Sequence, residues 1–116
     1  MVGLMEAVSL FNLHEDIRHV VVVDSAGNVE GIRSRAKATW PEEQIKQFSG
    51  LMAAIIFGIC EKVQSVAGTL DYIQVSYEKM KVFIVRGREN KFYIISARTK
   101  IPQDIVNQMV EKIKTF

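Results

Sequence analysis

FSGLMAAIIFGIC, Phe48 to Cys60, is thirteen residues long and carries no charge. It lies inside a single helix expected from Pro41 to about Val66. The charges of that helix gather at its ends, with Glu42, Glu43 and Lys46 before the run and Glu61 and Lys62 after it. A helix resting on one face of a sheet needs one apolar stripe, whereas a helix apolar all round needs cover on a second side. At about 1.5 Å per residue the run is roughly 20 Å long, short of a bilayer core of roughly 30 Å. On this reading no stretch reaches the length of a transmembrane helix. The surplus apolar surface is therefore expected to meet protein, and in a chain of 116 residues that means a second subunit.

The helix sorts into two kinds of apolar position. Ile45, Phe48, Met52, Ile55 or Ile56, Ile59, Val63 and Val66 recur at helical spacing and make a bulky stripe suited to a sheet. Gly50, Ala54 and Gly58 recur every four residues and make a narrow strip of small residues, along which another backbone can approach closely. The plain alternative is close packing of this helix on its own sheet. The reading preferred here is helix-against-helix contact across a two-fold axis. The expected dimer interface comprises Gly50, Leu51, Ala54, Phe57 and Gly58, joined by Ile73 and Val75 from a strand whose edge is free to pair with a symmetry mate.

Upstream of the helix, Val2 to about Leu13 reads as a short helix. Ile17 to Asp24 reads as a buried central strand, since Val20 to Val23 is β-branched and apolar on both sides. Asp24-Ser25-Ala26-Gly27-Asn28 is a turn. The next strand, Val29 to about Ala38, carries Arg33, Arg35 and Lys37 at period two, as expected of a solvated edge. Thr39-Trp40-Pro41-Glu42 matches a capping box, and Gly68 is a helix stop. Three strands follow, Leu70 to Tyr77, Lys81 to Arg86 and Phe92 to Ala97, joined by polar hairpin-like turns. Pro102 opens a last helix with Ile105, Val106, Met109, Val110 and Ile113 on one face. The expected fold is α+β in the order α-β-β-α-β-β-β-α. A five-stranded, mainly antiparallel sheet carries the long helix on one face and the terminal helices on the other. The whole chain, 1–116, reads as one domain.

Composition excludes little and favours nothing catalytic. The net charge of +2 is too weak to imply nucleic acid. A single cysteine, Cys60, rules out an internal disulfide and fits a reducing compartment. The N-terminal stretch has no basic n-region and does not read as a signal peptide, so a cytoplasmic protein is expected. His14 and His19 are five apart across a helix-to-strand junction, which is not the spacing of two ligands on one helix face. Gly27 and Gly31 are not followed by the Lys-Ser/Thr of a phosphate loop, no G-x-S-x-G elbow is present, and Cys60 lies in the apolar helix. No catalytic residue, cofactor site or metal site is expected.

With these elements in place, the chain resembles the roadblock/dynein-light-chain family of profilin-like and longin-like architecture, in its prokaryotic or archaeal form. The local resemblance rests on His19-Val-Val-Val-Val-Asp24-Ser-Ala-Gly27-Asn-Val29, an apolar strand, an Asp-x-x-Gly turn and a second strand. The long helix and the three following strands match in order and length. The resemblance implies a homodimer or pseudo-dimer whose long helices pack side by side and whose strands at Leu70 to Tyr77 join two sheets. It also implies a non-enzymatic platform for a small Ras-like GTPase.

Two other readings follow from the residues alone. Tyr72, Gln74, Ser76, Tyr93 and Ser96 are the polar core positions available to a small-molecule sensor. Arg33, Arg35 and Lys37, with Arg86, Arg88 and Lys91, form a candidate partner or basic surface. Solvated edge charges are the plainer account of that set, because interleaved aromatics, the mark of single-strand binding, are missing.

Overall fold

The computed structural model describes residues 2–36 and 40–116, the side chains of 2–4 excepted. Five strands form one antiparallel sheet in the order β2-β1-β5-β4-β3. They span Ile17–Val23 (β1), Val29–Ser34 (β2), Tyr72–Ser76 (β3), Lys81–Arg86 (β4) and Phe92–Ala97 (β5). β1, β5 and β4 are central and β2 and β3 are the edges, as the apolar and charged patterns require. Strand β5 is buried at every position and β4 at its four middle positions, because both faces of the sheet are covered.

One face holds Ala7 and Leu10 of the N-terminal segment and Val106, Met109, Val110 and Ile113 of the C-terminal helix (Gln103–Lys114). These pack on Ile17, Val20, Val22, Phe83, Val85, Tyr93 and Ile95. The other holds Ile45, Met52, Ala53 and Ile56 of the long helix against Val21, Val23, Val82, Ile84, Phe92 and Ile94. The expected layering is therefore observed.

The β1–β2 turn shows how local chemistry sets the frame. Asp24 Oδ1 accepts the backbone N–H groups of Ala26 and Asn28, each at 2.9 Å. The Asp24 carboxyl is held below its ordinary range, chiefly by the Asn28 N–H and less by the other donors of the turn. Gly27 takes φ +86°, and a Cβ there would lie 2.8 Å from the Gly50 Cα and 3.4 Å from the Ala53 Cβ. This turn therefore buttresses the long helix at Gly50, and only glycine satisfies both its backbone angle and its contact.

The long helix is continuous from Glu42 to Ala67 but not uniform. It is α-helical over Glu42–Ala54, forms a π-helical turn at Ile55–Ile59 and a 3₁₀ turn at Cys60–Val63, and returns to α over Gln64–Ala67. Gly68, at φ +82°, ends it, its N–H donating to the Gln64 carbonyl at 2.9 Å. At 26 residues the helix is long and apolar enough, by length and composition, to cross a membrane. That corrects the expectation drawn from the thirteen charge-free residues, which left out the apolar turns beyond Glu61 and Lys62. Its inner side is committed to the sheet.

Boundaries shift in three further places. β2 stops at Ser34, well short of Ala38. The N-terminal helix tightens into a 3₁₀ turn at Ser9–Asn12. Pro41 occupies the N-cap position with no side-chain cap, and Thr39, the expected capping residue, lies outside the described residues.

Replacing Gly27 by alanine forces a Cβ onto the helix backbone at a left-handed φ. A loss of about 1–3 kcal/mol is expected, read as a lowered denaturation midpoint with unchanged m-value. An unchanged midpoint would mean that the turn does not bear on the helix.

Candidate functional site

The candidate site is the outer side of the long helix, where the π turn governs what is exposed. The buried sheet-facing residues run Ile45, Ser49, Met52, Ala53 and Ile56. Ideal α spacing would continue this stripe through Ile59, Val63 and Val66. A π turn winds less per residue than an α turn and the 3₁₀ turn that follows winds more, so the stripe loses its regular α register beyond Ile56. After the turn it is Glu61 that reaches the sheet side, where it meets Arg86 of β4 at 2.8 Å. Ile59, Val63 and Val66 swing outward and are 66%, 58% and 92% exposed. The expectation that these three lie against the sheet is thus corrected.

The residues expected at an interface fall as follows. Gly50, Leu51, Ala54 and Gly58 are exposed in the single chain, and Leu51 keeps 67% of its surface. A Cβ at Gly50 or Gly58 would meet nothing within 4 Å, so the strip opens outward along its length. Phe57 is half-buried. Its ring packs 6.1 Å from that of Phe92, and the Arg86 guanidinium lies 4.9 Å above it. Ile73 and Val75 are half-buried on the long-helix side of edge strand β3.

Beside this face lies a groove of about 470 Å³ between the start of the long helix and the β3–β4 turn. Its walls are Trp40, Gln44 and Phe48 on one side and Tyr77 to Met80 on the other. Trp40 meets Phe48 edge-on at 5.8 Å, and its other neighbour is the His19 ring at 6.3 Å. His19 Nδ1 lies 2.5 Å from Ser96 Oγ. Burial in the first place, and the Arg18 charge second, hold the His19 pKa below 6.5. No sequence motif marks this groove, because its two walls are some thirty residues apart in the chain.

Among the described residues of the basic set, Arg35, Arg86 and Lys91 are each engaged within the chain. Arg35 folds back at the end of β2: Nε donates to the Ile17 carbonyl at 2.7 Å, Nη1 to the Phe11 carbonyl at 2.9 Å, and Nη2 to that of His14. The guanidinium also lies 4.8 Å above the Phe11 ring. It ties the N-terminal segment to the sheet. Arg33 remains exposed, and Lys37 lies outside the described residues. Arg86 and Lys91 are paired with Glu61 and Glu30. The five polar positions considered for a sensor do not converge either. Tyr72 and Tyr93 lie on the terminal-helix side and Ser96 on the opposite side, while Gln74 and Ser76 of the edge strand are exposed. Among the described residues no group of three His, Cys, Asp or Glu side chains could hold a metal ion.

Folded His19 resists protonation, whereas in the unfolded chain it titrates near 6.5. The unfolded state thus takes up the proton first, and stability falls as pH drops below about 6.5, levelling off under the depressed folded value. His19→Gln is expected to flatten that part of the stability profile, measured by denaturant midpoints between about pH 7.5 and 5.

No protein-family model matches the chain, and no curated protein matches it in sequence. Solved structures do match in fold. The chain is similar to a Roadblock/LC7 domain from Streptomyces avermitilis, with TM-score 0.72, 10% identity, and coverage of 96% of this chain and 91% of that one. It is similar to the gliding protein MglB from Thermus thermophilus, with TM-score 0.68, 13% identity, and 97% and 86% coverage. It is also similar to MglC from Myxococcus xanthus, with TM-score 0.61, 12% identity, and 99% and 98% coverage. Sheet order, layering and these likenesses together establish that the chain has the Roadblock/LC7 fold.

Proposed function

We propose that the chain is a single roadblock-like domain acting as a non-enzymatic homodimeric adaptor in the cytoplasm, where it binds or regulates a small Ras-like GTPase. The observation that carries the dimer is the uncovered face of the long helix. Leu51, Ile59, Val63 and Val66 are exposed beside a strip of small residues with open space before it. Apolar surface is driven from water at about 25 cal/mol per Å², and a contiguous exposed patch on one element marks a protein contact. Strand β3 offers a second contact. It is an edge strand with no charge between Tyr72 and Ser76, so its outer N–H and C=O groups are available to pair with another strand.

The GTPase part rests on the roadblock resemblance in the sequence, with which the fold agrees. The chain is also similar in fold to MglB with a tetrameric arrangement, at 12% identity and TM-score 0.71. A sensor is less well supported, because its polar candidates are spread over both faces of the sheet.

Light scattering across a dilution series is expected to give a dimer for the wild type and a monomer for Ala54→Arg at the same concentration. An unpaired charge buried in the helix contact costs roughly 3–5 kcal/mol. A wild-type monomer throughout would contradict the proposal. Purified small Ras-like GTPases, offered in GTP-analogue and GDP forms to the immobilised dimer, test the partner. Retention of one nucleotide form over the other is expected, and no retention of either form would set the GTPase part aside while leaving the dimer intact.

A further inference from the structure

We infer that the cavity between the N-terminal helix, the β4–β5 turn and the end of the C-terminal helix binds a free α-amino acid, with Glu6 and Tyr93 receiving its ammonium group and Arg88 its carboxylate. The inference does not rest on the homodimer. Tyr93 and Phe116, two of its walls, belong to the terminal-helix side of the sheet, opposite the long helix. The cavity therefore stays open whatever covers that helix.

Two buried polar groups meet this cavity without a partner. Tyr93 lies in the wholly buried strand β5 and is only 2% exposed, yet it lines the cavity. A Cβ at Gly87 would lie 2.6 Å from Tyr93 Cε1, the ring carbon next to the one that bears the hydroxyl. Glycine in the β4–β5 turn thus lets the polar end of the ring pass close beneath the backbone. The Phe116 ring meets the Tyr93 ring edge-on at 5.5 Å and supplies an apolar wall. A buried tyrosine hydroxyl ordinarily has a hydrogen-bond partner, but among the described residues this one has none, and burial first, then the carboxylates of Glu6, Glu30 and Glu89, push its pKa up. It stays a neutral O–H at physiological pH. Glu6 Oε2 is also buried and without a hydrogen-bond partner. A buried acceptor left unpaired carries its full desolvation cost, which a donor on a bound molecule removes.

The charges around the cavity select the ligand. Lys91 is committed to Glu30 at 3.1 Å. Glu6, Arg88 and Glu89 are in no ion pair among the described residues. Two carboxylates and one guanidinium therefore stand uncommitted around a neutral hydroxyl. A simple cation would answer the carboxylates and leave Arg88 facing like charge, and a simple anion would do the reverse. A molecule with an ammonium and a carboxylate on one carbon answers both. An ammonium has three donors to share between Glu6 Oε2 and the Tyr93 hydroxyl, and a guanidinium takes a carboxylate with two parallel hydrogen bonds. The volume of about 300 Å³ lies at the small end for ligand pockets, which fits a single amino acid better than a nucleotide or a peptide.

Titration calorimetry of the wild-type chain with a panel of free α-amino acids tests the inference. At least one is expected to bind with a Kd below about 1 mM. Its N-acetyl derivative, which lacks the ammonium, and its decarboxylated amine, which lacks the carboxylate, are each expected to bind at least about tenfold more weakly. Glu6→Gln and Arg88→Gln are expected to weaken binding by about the same factor. Arg88 is exposed, so its replacement leaves the fold intact, checked by an unchanged circular dichroism spectrum. Tyr93→Phe keeps the ring and removes the hydroxyl, and a several-fold loss is expected. No binding by any member of the panel at roughly 10 mM, or binding that none of the three variants alters, would overturn the inference. Equal binding of the amine would overturn the role of Arg88 and with it the amino-acid class. Each of these results leaves the oligomeric state untouched, so failure here is distinct from failure of the dimer.

Discussion

The structure depends on a mismatch between one helix and one sheet. The sheet's long-helix face offers cover for a single stripe, and Ile45, Met52, Ala53 and Ile56 fill it. The helix carries apolar residues well beyond that stripe, and the π turn at Ile55–Ile59 decides where the remainder points. Beyond it Glu61 meets Arg86 of β4, and Ile59, Val63 and Val66 face water. π turns often occur at functional sites because they re-aim side chains without ending a helix.

Around this helix the remaining parts act as fixed supports. The Asp24–Asn28 turn presses Gly27 against Gly50, which sets the height of the helix above β1 and β2. The β1–β5–β4 centre is buried on both faces, so it cannot yield easily. Arg35 binds three carbonyls of the N-terminal segment and the first strand, closing the end of the sheet where β2 stops. The two edges differ in kind. β2 carries exposed Arg33, while β3 carries half-buried Ile73 and Val75 and no charge. Positive charge on an edge discourages pairing, and its absence permits pairing.

Much of this was legible in the residues. Val20 to Val23 could only be a buried strand, Asp24 and Gly27 a turn, and Gly68 a stop. The excess of apolar residues between Phe48 and Cys60 announced apolar surface that the chain's own sheet does not cover. The layers followed from periodicity, because apolar patterns of period two and 3.6 report directly on which side is buried. The phase of the helix after Ile56 was not legible, since a π turn leaves no signature in spacing and an ideal α-helix had to be assumed. Arg35 read as a member of a charged row because alternation shows which face a side chain leaves from, and not that the strand ends one residue earlier and lets it fold back. The groove was hidden for another reason: Trp40 and Phe48 meet Tyr77 and Met80 only through the fold.

Amide hydrogen exchange of the segment Ile55–Ala67 at several protein concentrations tests the central claim most directly. A helix end covered by a second copy opens only when the copy leaves, so its exchange must depend on concentration while that of β1 and β5 does not. Slow exchange at high concentration that accelerates on dilution is the predicted result. Fast exchange at every concentration, in step with an end that nothing covers, would contradict the account.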